Sequence, residues 1–324
     1  MPTCRHTLAG HDGIVTCIDL DFASGRVVSG SSDRTVRVWD GNIGECERVL
    51  ASHSGSIYCL QLEGERLFTG SQDRTIKHWE LSRLPGKEEG AHRRKKTIRD
   101  AAQSEQPTGD PCLVNTLTGH TDAVTCLHFD AEYLVSGSAD RTLRQWDLKT
   151  GECVLQLDAG WAAHGARAPP SNAYTSVSDG FVGALQFWQC ALCSGTADGV
   201  IRMWDLRTGQ THRTLTGHVG PVNCLQFDER SVVSGGEDGT IRIWDLRTGE
   251  VFDTVQFERP VTSLQFDDAK VLCTAGDCEV KIYNRTNFQR SAFRAHREPV
   301  SCVRFAGRRV VTGGNDDVVK VWRT

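Results

Sequence analysis

His11, Ser29 and Asp33 are the residue types of an acyl-transfer hydrolase, in which a carboxylate orients an imidazole and the imidazole takes the proton of a hydroxyl nucleophile. A catalytic set is needed once, whereas this chain carries five, each with a tryptophan added. They are His11, Ser29, Asp33 and Trp39; His53, Thr69, Asp73 and Trp79; His120, Ser136, Asp140 and Trp146; His218, Ser234, Asp238 and Trp244; and His296, Thr312, Asp316 and Trp322. Five copies argue for buried networks in which the imidazole bridges the carboxylate and the hydroxyl while the indole N–H donates to that hydroxyl. The hydrolase reading is set aside on this ground, and no catalytic residue is assigned.

Cysteine is the other reactive type. Cys17, Cys59, Cys126, Cys224 and Cys302 each follow a Val or Ile by two residues in equivalent segments, while Ala184 and Ser263 fill that slot elsewhere. A disulfide or metal framework would not tolerate those replacements, so the thirteen cysteines read as reduced thiols with the five as small packing residues. Cys190 and Cys193 form a C-x-x-C inside a predicted strand with no second ligand pair nearby. Neither a metal nor a cofactor is expected.

The elements that position these residues repeat. Seven units end in Trp39, Trp79, Trp146, Trp204, Trp244, Tyr283 and Trp322, spaced by 40, 67, 58, 40, 39 and 39 residues. The underlying period of about 40 with two insertions is that of propeller blades. Short β-branched runs such as Val27–Val28 and Thr35–Val38 are strands, and turns such as Asp205–Gly209 close hairpins through a glycine able to take positive φ. Two units depart from the pattern. The fourth keeps Ser194, Asp198 and Trp204 without a Gly-His; the sixth has Pro260 there, a shortened turn, Tyr283 for Trp, and Asp277 as its expected tetrad remnant.

At 324 residues, with a net charge of −4 and a pI near 6.3, the chain has no field suited to collecting phosphates, and nucleic acid is not the expected partner. It shows neither a long apolar span nor the apolar core of a secretory signal, so direct membrane insertion is not expected and the location reads as cytosolic or nuclear.

The segments Gly10-His11 to Trp39-Asp40, Gly119-His120 to Trp146-Asp147 and Gly217-His218 to Trp244-Asp245 resemble WD40 repeats. The resemblance implies an all-β, seven-bladed propeller over residues 1 to 324, with four antiparallel strands per blade and residues 3 to 8 closing the ring on the last blade, which removes exposed sheet edges. The insertions, about 82 to 111 and 158 to 180, are expected at the bottom and top ends. The first holds the basic run His92 to Lys96, and the second holds Trp161, a candidate anchor.

Alternation along each first strand, with the residue before each tetrad Asp, selects candidate contact positions on the top: Ile14, Thr16, Ser32, Tyr58, Gln72, Thr125, Phe181, Asn223, Glu237 and Asn315. Arg34, Arg74 and Arg141, following the tetrad Asp, read as solvated turns. A basic residue also stands two positions before every final aromatic: Arg37, Lys77, Arg144, Arg202, Arg242, Lys281 and Lys320. These read as strand-edge residues whose stems cover apolar surface.

The stretches Gly183–Trp188, Ile201–Gly209, Ser263–Phe266 and Val280–Thr286 resemble the propellers of the mitochondrial-division adaptors of fungi and red algae. That likeness implies a non-catalytic scaffold that binds a dynamin-related GTPase and promotes its assembly at the cytosolic face of the mitochondrial outer membrane. It also implies an outer-membrane anchor and a dimerising coiled coil engaged through regions preceding the propeller, which makes this chain the expected C-terminal domain of a longer protein. The alternative is the substrate receptor of an F-box ubiquitin ligase, or another protein-binding scaffold.

Overall fold

The computed structural model describes residues 2–83, 110–159 and 180–324. They form seven four-stranded antiparallel sheets arranged as the blades of a propeller. Blade 1 runs through Val15–Leu20, Arg26–Ser31, Val36–Asp40 and Glu45–Leu50, from the central channel outward. Blade 7 takes three strands from the carboxyl end, Val300–Ala306, Arg309–Gly314 and Val318–Arg323, and its outermost strand, Thr3–Ala9, from the amino end. Thr3 pairs with Arg323 and Ala9 with Val318, so the closing strand extends one residue beyond the expected segment. Apart from a single 3-10 turn at Leu81–Arg83, the described residues carry no helix, and none long and apolar enough to cross a membrane.

The core lies between blades. Each of the seven apolar clusters combines residues of two adjacent sheets, as in the layer joining Val28, Val36, Val38 and Leu50 of blade 1 to Ile57, Leu67 and Trp79 of blade 2. The final aromatic of a unit always packs toward the preceding blade: Trp39 lies with Val311, Val319 and Leu8 of blade 7. A buried indole removes about 200 Å² from water, roughly 5 kcal/mol of gross transfer free energy. Close approach of the sheets needs glycine at one site. A Cβ on Gly30 would lie 2.6 Å from Cγ2 of Ile57 in blade 2 and 2.7 Å from the Cys17 sulfur.

The innermost strand carries a bulge near its start in blades 1 to 5 and 7, as between Val15 and Cys17. The extra residue leaves the ladder, which frees its side chain for the neighbouring blade. The loops carrying the Gly-His pairs and the Asp turns share one end of the ring, called the top; the turns linking first to second and third to fourth strands share the other. The first insertion separates the third strand of blade 2, Ile76–Glu80, from its outer strand, Leu113–Leu117. The second separates the outer strand of blade 3, Cys153–Asp158, from Val182–Trp188 of blade 4.

Candidate functional site

In five blades the imidazole Nδ1 lies 2.7–3.1 Å from the Asp carboxylate. Its Nε2 lies 2.7–2.8 Å from the hydroxyl, which also accepts the indole N–H at 2.8–3.0 Å. The hydroxyl has one proton; with its oxygen accepting from Trp, that proton goes to Nε2, leaving Nδ1–H to donate to the carboxylate. Ser29, Thr69, Ser136, Ser234 and Thr312 are fully buried, so no substrate carbonyl can approach the hydroxyl oxygen. In four of the five the carboxylate also ties its own turn, as Asp33 does by accepting from Thr35 N and Oγ1, and it reaches the backbone after the histidine at Asp12 N. Burial raises the Asp140 carboxyl, but hydrogen bonds from Thr142, Thr121 and His120 outweigh it and bring it to about 2. Burial lowers His120, His218 and His296 below the ordinary imidazole range and keeps them neutral.

The two units without the histidine solve the same problem differently. In blade 4 Trp204 still donates to Ser194, at 2.8 Å, but the Asp198 carboxylate is met by Arg202, Nη2 to Oδ2 at 2.7 Å. Arg202 Nη1 donates to Thr196 Oγ1 at 2.6 Å, and the side chain is buried. In blade 6 Lys281 donates to Asp277 and lies 3.5 Å from Glu279. The loop entering blade 6 reads Phe257-Glu258-Arg259-Pro260 and supplies no imidazole. The Lys281 ammonium sits 5.9 Å from the Phe257 ring centroid. Cys273 pairs with Lys281 as Ser29 pairs with Arg37, and Tyr283 donates to Asp253 of blade 5 at 2.5 Å.

The basic residues before the final aromatics are therefore not all strand-edge groups. In the three blades with a Gly-His pair they lie over that loop, as Arg37 does against Gly10 and 5.9 Å from the Trp39 ring, while Lys77 donates to Thr116 and Lys320 to Ala295 O. Where the histidine is absent they turn inward to the carboxylate, because a partly buried Asp requires a donor.

On the top, Ile14, Ser32, Tyr58, Gln72, Glu237 and Asn315 are exposed, and Phe181 is half-buried. Thr16, Thr125 and Asn223 are half-buried and already engaged: Thr16 donates to Ile57 O at 2.6 Å, Thr125 to Val182 O at 2.5 Å, and Asn223 to Val261 O at 3.1 Å. These are bulge residues stitching each blade to the next. Trp161 and the run His92 to Lys96 lie outside the described residues.

A second stitching ring lies deeper. Gln61 donates to Phe129 O and accepts from Phe129 N, at 3.2 and 2.7 Å, and Gln226 and Gln265 make the same pair with Phe266 and Phe305. The side-chain amide thereby satisfies backbone groups on the open edge of the next inner strand. The signal in the sequence is a recurring Leu-Gln followed by Leu at Gln61 and by Phe at Gln226 and Gln265. At the same height blades 1, 3 and 7 carry Asp19, His128 and Arg304.

The channel holds about 170 Å³ and is bordered by Cys17, Cys59, Cys126, Cys224 and Cys302. Three of these five are only half-buried, so they line the channel rather than filling a closed core. Burial pushes the thiols up, Cys126 to about 12 and Cys302 to about 11, which disfavours the thiolate that a metal or an electrophile needs. Cys193 is buried and raised to about 12 while Cys190 is exposed, and both are free thiols. Among the described residues no group of three His, Cys, Asp or Glu is placed to hold a metal.

Comparison with known proteins gives two findings. A family model described as WD domain, G-beta repeat matches residues 2–40, 44–80, 111–147, 209–245 and 287–323. These are the stretches ending in the five complete tetrads. Among curated relatives, Mitochondrial division protein 1 of Aspergillus terreus is 46% identical over 228 residues, covering 66% of this chain and 35% of its own length. The proteins of the same name from Aspergillus clavatus and Neurospora crassa are each 44% identical, over 272 and 236 residues, covering 78% and 68% of this chain and 41% and 36% of their own lengths. The chain thus spans little more than a third of the length of these relatives.

Proposed function

The chain belongs to the WD domain, G-beta repeat family, and from that premise we propose that it is a protein-binding propeller of the mitochondrial-division machinery that engages a dynamin-related GTPase and promotes its assembly. The observation that carries this reading is the 46% identity to a mitochondrial division protein over 228 residues. The geometry supports a scaffold: the residue types of a hydrolase are consumed in sealed intra-blade networks, while Ile14, Tyr58, Gln72 and Asn315 stand exposed around the top. Tyr58, 38% exposed, and Phe181 are the anchors assigned to the partner. The mechanism is multivalent: two propellers carried on one dimer hold two GTPase subunits together and raise their local concentration without chemistry. Membrane recruitment and dimerisation fall, in this reading, to parts of such proteins other than the propeller, and the site of action is the cytosolic face of the mitochondrial outer membrane.

The test is a binding titration of the purified propeller with the dynamin-related GTPase of the same organism, repeated with Tyr58→Ala and Phe181→Ala combined. Saturable binding weakened about tenfold or more by the pair, with the melting temperature retained, is the expected result. Absence of binding to the intact propeller overturns the proposal. Binding indifferent to the pair overturns the top-face anchors alone.

A further inference from the structure

At the bottom end, the seam where the closing strand joins blade 7 to blade 1 opens into a groove of about 500 Å³. Its walls carry Arg5 and His6 from the closing strand, Arg308 and Arg309 from the first turn of blade 7, Arg323 from the end of its third strand, and Phe22 from the first turn of blade 1. Phe22 is 70% exposed, the second most exposed large apolar side chain among the described residues, and its ring lies beside Gly307, where a Cβ would be 3.9 Å away. No acidic residue lines this groove.

The four arginines are also electrically unspent. None enters an ion pair with a carboxylate among the described residues. Arg309 is fixed by one bond, Nη2 to Asn42 Oδ1 at 2.9 Å, and its buried Nη1 has no hydrogen-bond partner. Asp21, on the turn that carries Phe22, is committed to that turn, accepting from Ala23 N, Ser24 N and Ser24 Oγ. The unbalanced charge is not a repeat feature, because the corresponding bottom groove between blades 5 and 6 sets Asp228, Glu229, Asp245 and Asp268 beside Arg230 and Arg285. Guanidinium groups without partners around a concavity suit carboxylates, which they can grip bidentately. An exposed ring on one wall suits an apolar side chain.

We propose that this groove docks an acidic peptide segment of a partner protein, its carboxylates on Arg308 and Arg323 and an apolar side chain against Phe22. The site is at the opposite end from the contact surface assigned above, and it stands whether or not that assignment does. A concave slot between two blades favours a single extended chain over the broad plane of a lipid headgroup surface.

The probe is a fluorescein-labelled peptide of sequence EEDLFEDE, titrated with the whole chain and read by fluorescence polarisation at low and high salt. The parent chain binds it saturably, and salt weakens the binding. The exposed double change Arg308→Glu with Arg323→Glu reduces affinity at least about tenfold, and Phe22→Ser reduces it about threefold, with melting temperatures unchanged. The control pair Lys149→Glu with Arg290→Glu alters net charge equally and leaves affinity within about twofold. No saturable binding, equal losses in the control pair, or variant-sensitive binding to phosphatidylserine vesicles in place of the peptide would overturn the proposal.

Discussion

Arg202 and Arg242 occupy the same position in neighbouring blades, within Ile201–Trp204 and Ile241–Trp244, yet their removal is expected to cost different amounts. Arg202 is 3% exposed and gives Asp198 bonds of 2.7 and 3.4 Å and Thr196 one of 2.6 Å. Hydrogen bonds to a charged group contribute about 1.5–3 kcal/mol each, and removing one partner of a buried pair costs roughly 3–5 kcal/mol. The Asp198 side chain is 40% exposed, so water recovers part of that loss, and Arg202→Met is expected to cost about 2–3 kcal/mol. Arg242 has no such duty, because His218 already serves Asp238 at 3.0 Å and the guanidinium rests against Gly217. Its replacement by Met keeps most of the stem's packing and is expected to cost less than about 1 kcal/mol.

The assay is urea unfolding at pH 7, comparing midpoints after checking that the slope is unchanged. With a slope of about 3 kcal/mol per molar, the Arg202 change moves the midpoint by roughly 0.7–1 M and the Arg242 change by less than about 0.3 M. The pH dependence gives a second reading. Burial alone would raise Asp198, but bonds from Arg202 and Thr196 bring it below its ordinary value. Its stabilisation is therefore fully present above the ordinary carboxylate pKa and is lost as pH falls through the depressed one, so the gap between parent and Arg202→Met narrows below about pH 4. Equal midpoint shifts for the two variants would refute the idea that Arg202 stands in for the missing histidine.

Replacing His11, His120 and His218 singly by Ala is expected to cost a similar amount in each case, about 2–4 kcal/mol, since each leaves a buried hydroxyl and a carboxylate short of a partner; urea midpoints measure it. Because His120, His218 and His296 titrate below the ordinary imidazole value, the unfolded chain takes up protons first and the parent loses stability as pH falls below about 6.5; acid titration of the urea midpoint checks this, and His120→Ala removes part of the slope. Gly235→Ala forces a Cβ to within 2.5 Å of Val261 and 2.7 Å of the Cys224 sulfur, and is expected to lower stability by about 1–3 kcal/mol in thermal or urea unfolding. Arg74 holds a left-handed φ of 69° where Gly199 and Gly239 stand in blades 4 and 5, so Arg74→Gly is expected to be stabilising by about 0.5–1 kcal/mol in the same assay.

The propeller was legible because its determinants are local and repeated. His, hydroxyl, Asp and Trp recur in register, and a period of about 40 leaves few architectures. What escaped the sequence depends on the neighbouring blade. Gln61, Gln226 and Gln265 look like ordinary inner-strand residues until the strand edge of the next blade is placed beside them. Thr16 and Thr125 fall on the outward side of a simple alternation, but the bulge after Val15 and Val124 turns their hydroxyls onto the next blade. The basic groove escaped for the same reason: Arg5, Phe22, Arg308 and Arg323 come together only when the first residues of the chain meet the last.

The histidine tetrad and its substitute answer one constraint. A carboxylate stands in the top turn of every blade, and it needs a donor that the turn itself does not supply. Five blades provide an imidazole, held by a chain of bonds that ends at a tryptophan. The other two provide a cation, and they can do so because every unit already carries Arg or Lys two residues before its final aromatic. With the histidine present, Arg37, Arg144 and Arg242 pack over the Gly-His loop; with it absent, the side chain at the same position reaches the carboxylate. Loss of the histidine is thus tolerated without leaving a bare charge, at the expense of a neutral network becoming an ion pair. The replacement is complete in blade 4, where Trp204 and Ser194 remain, and only partial in blade 6, where Cys273 and Tyr283 leave the chain of bonds and Tyr283 turns to Asp253 of the neighbouring blade. Blade 6 thus lacks a closed network of its own, and its aromatic adds one more side-chain bond to a seam that Asn223 and Gln226 of blade 5 already stitch.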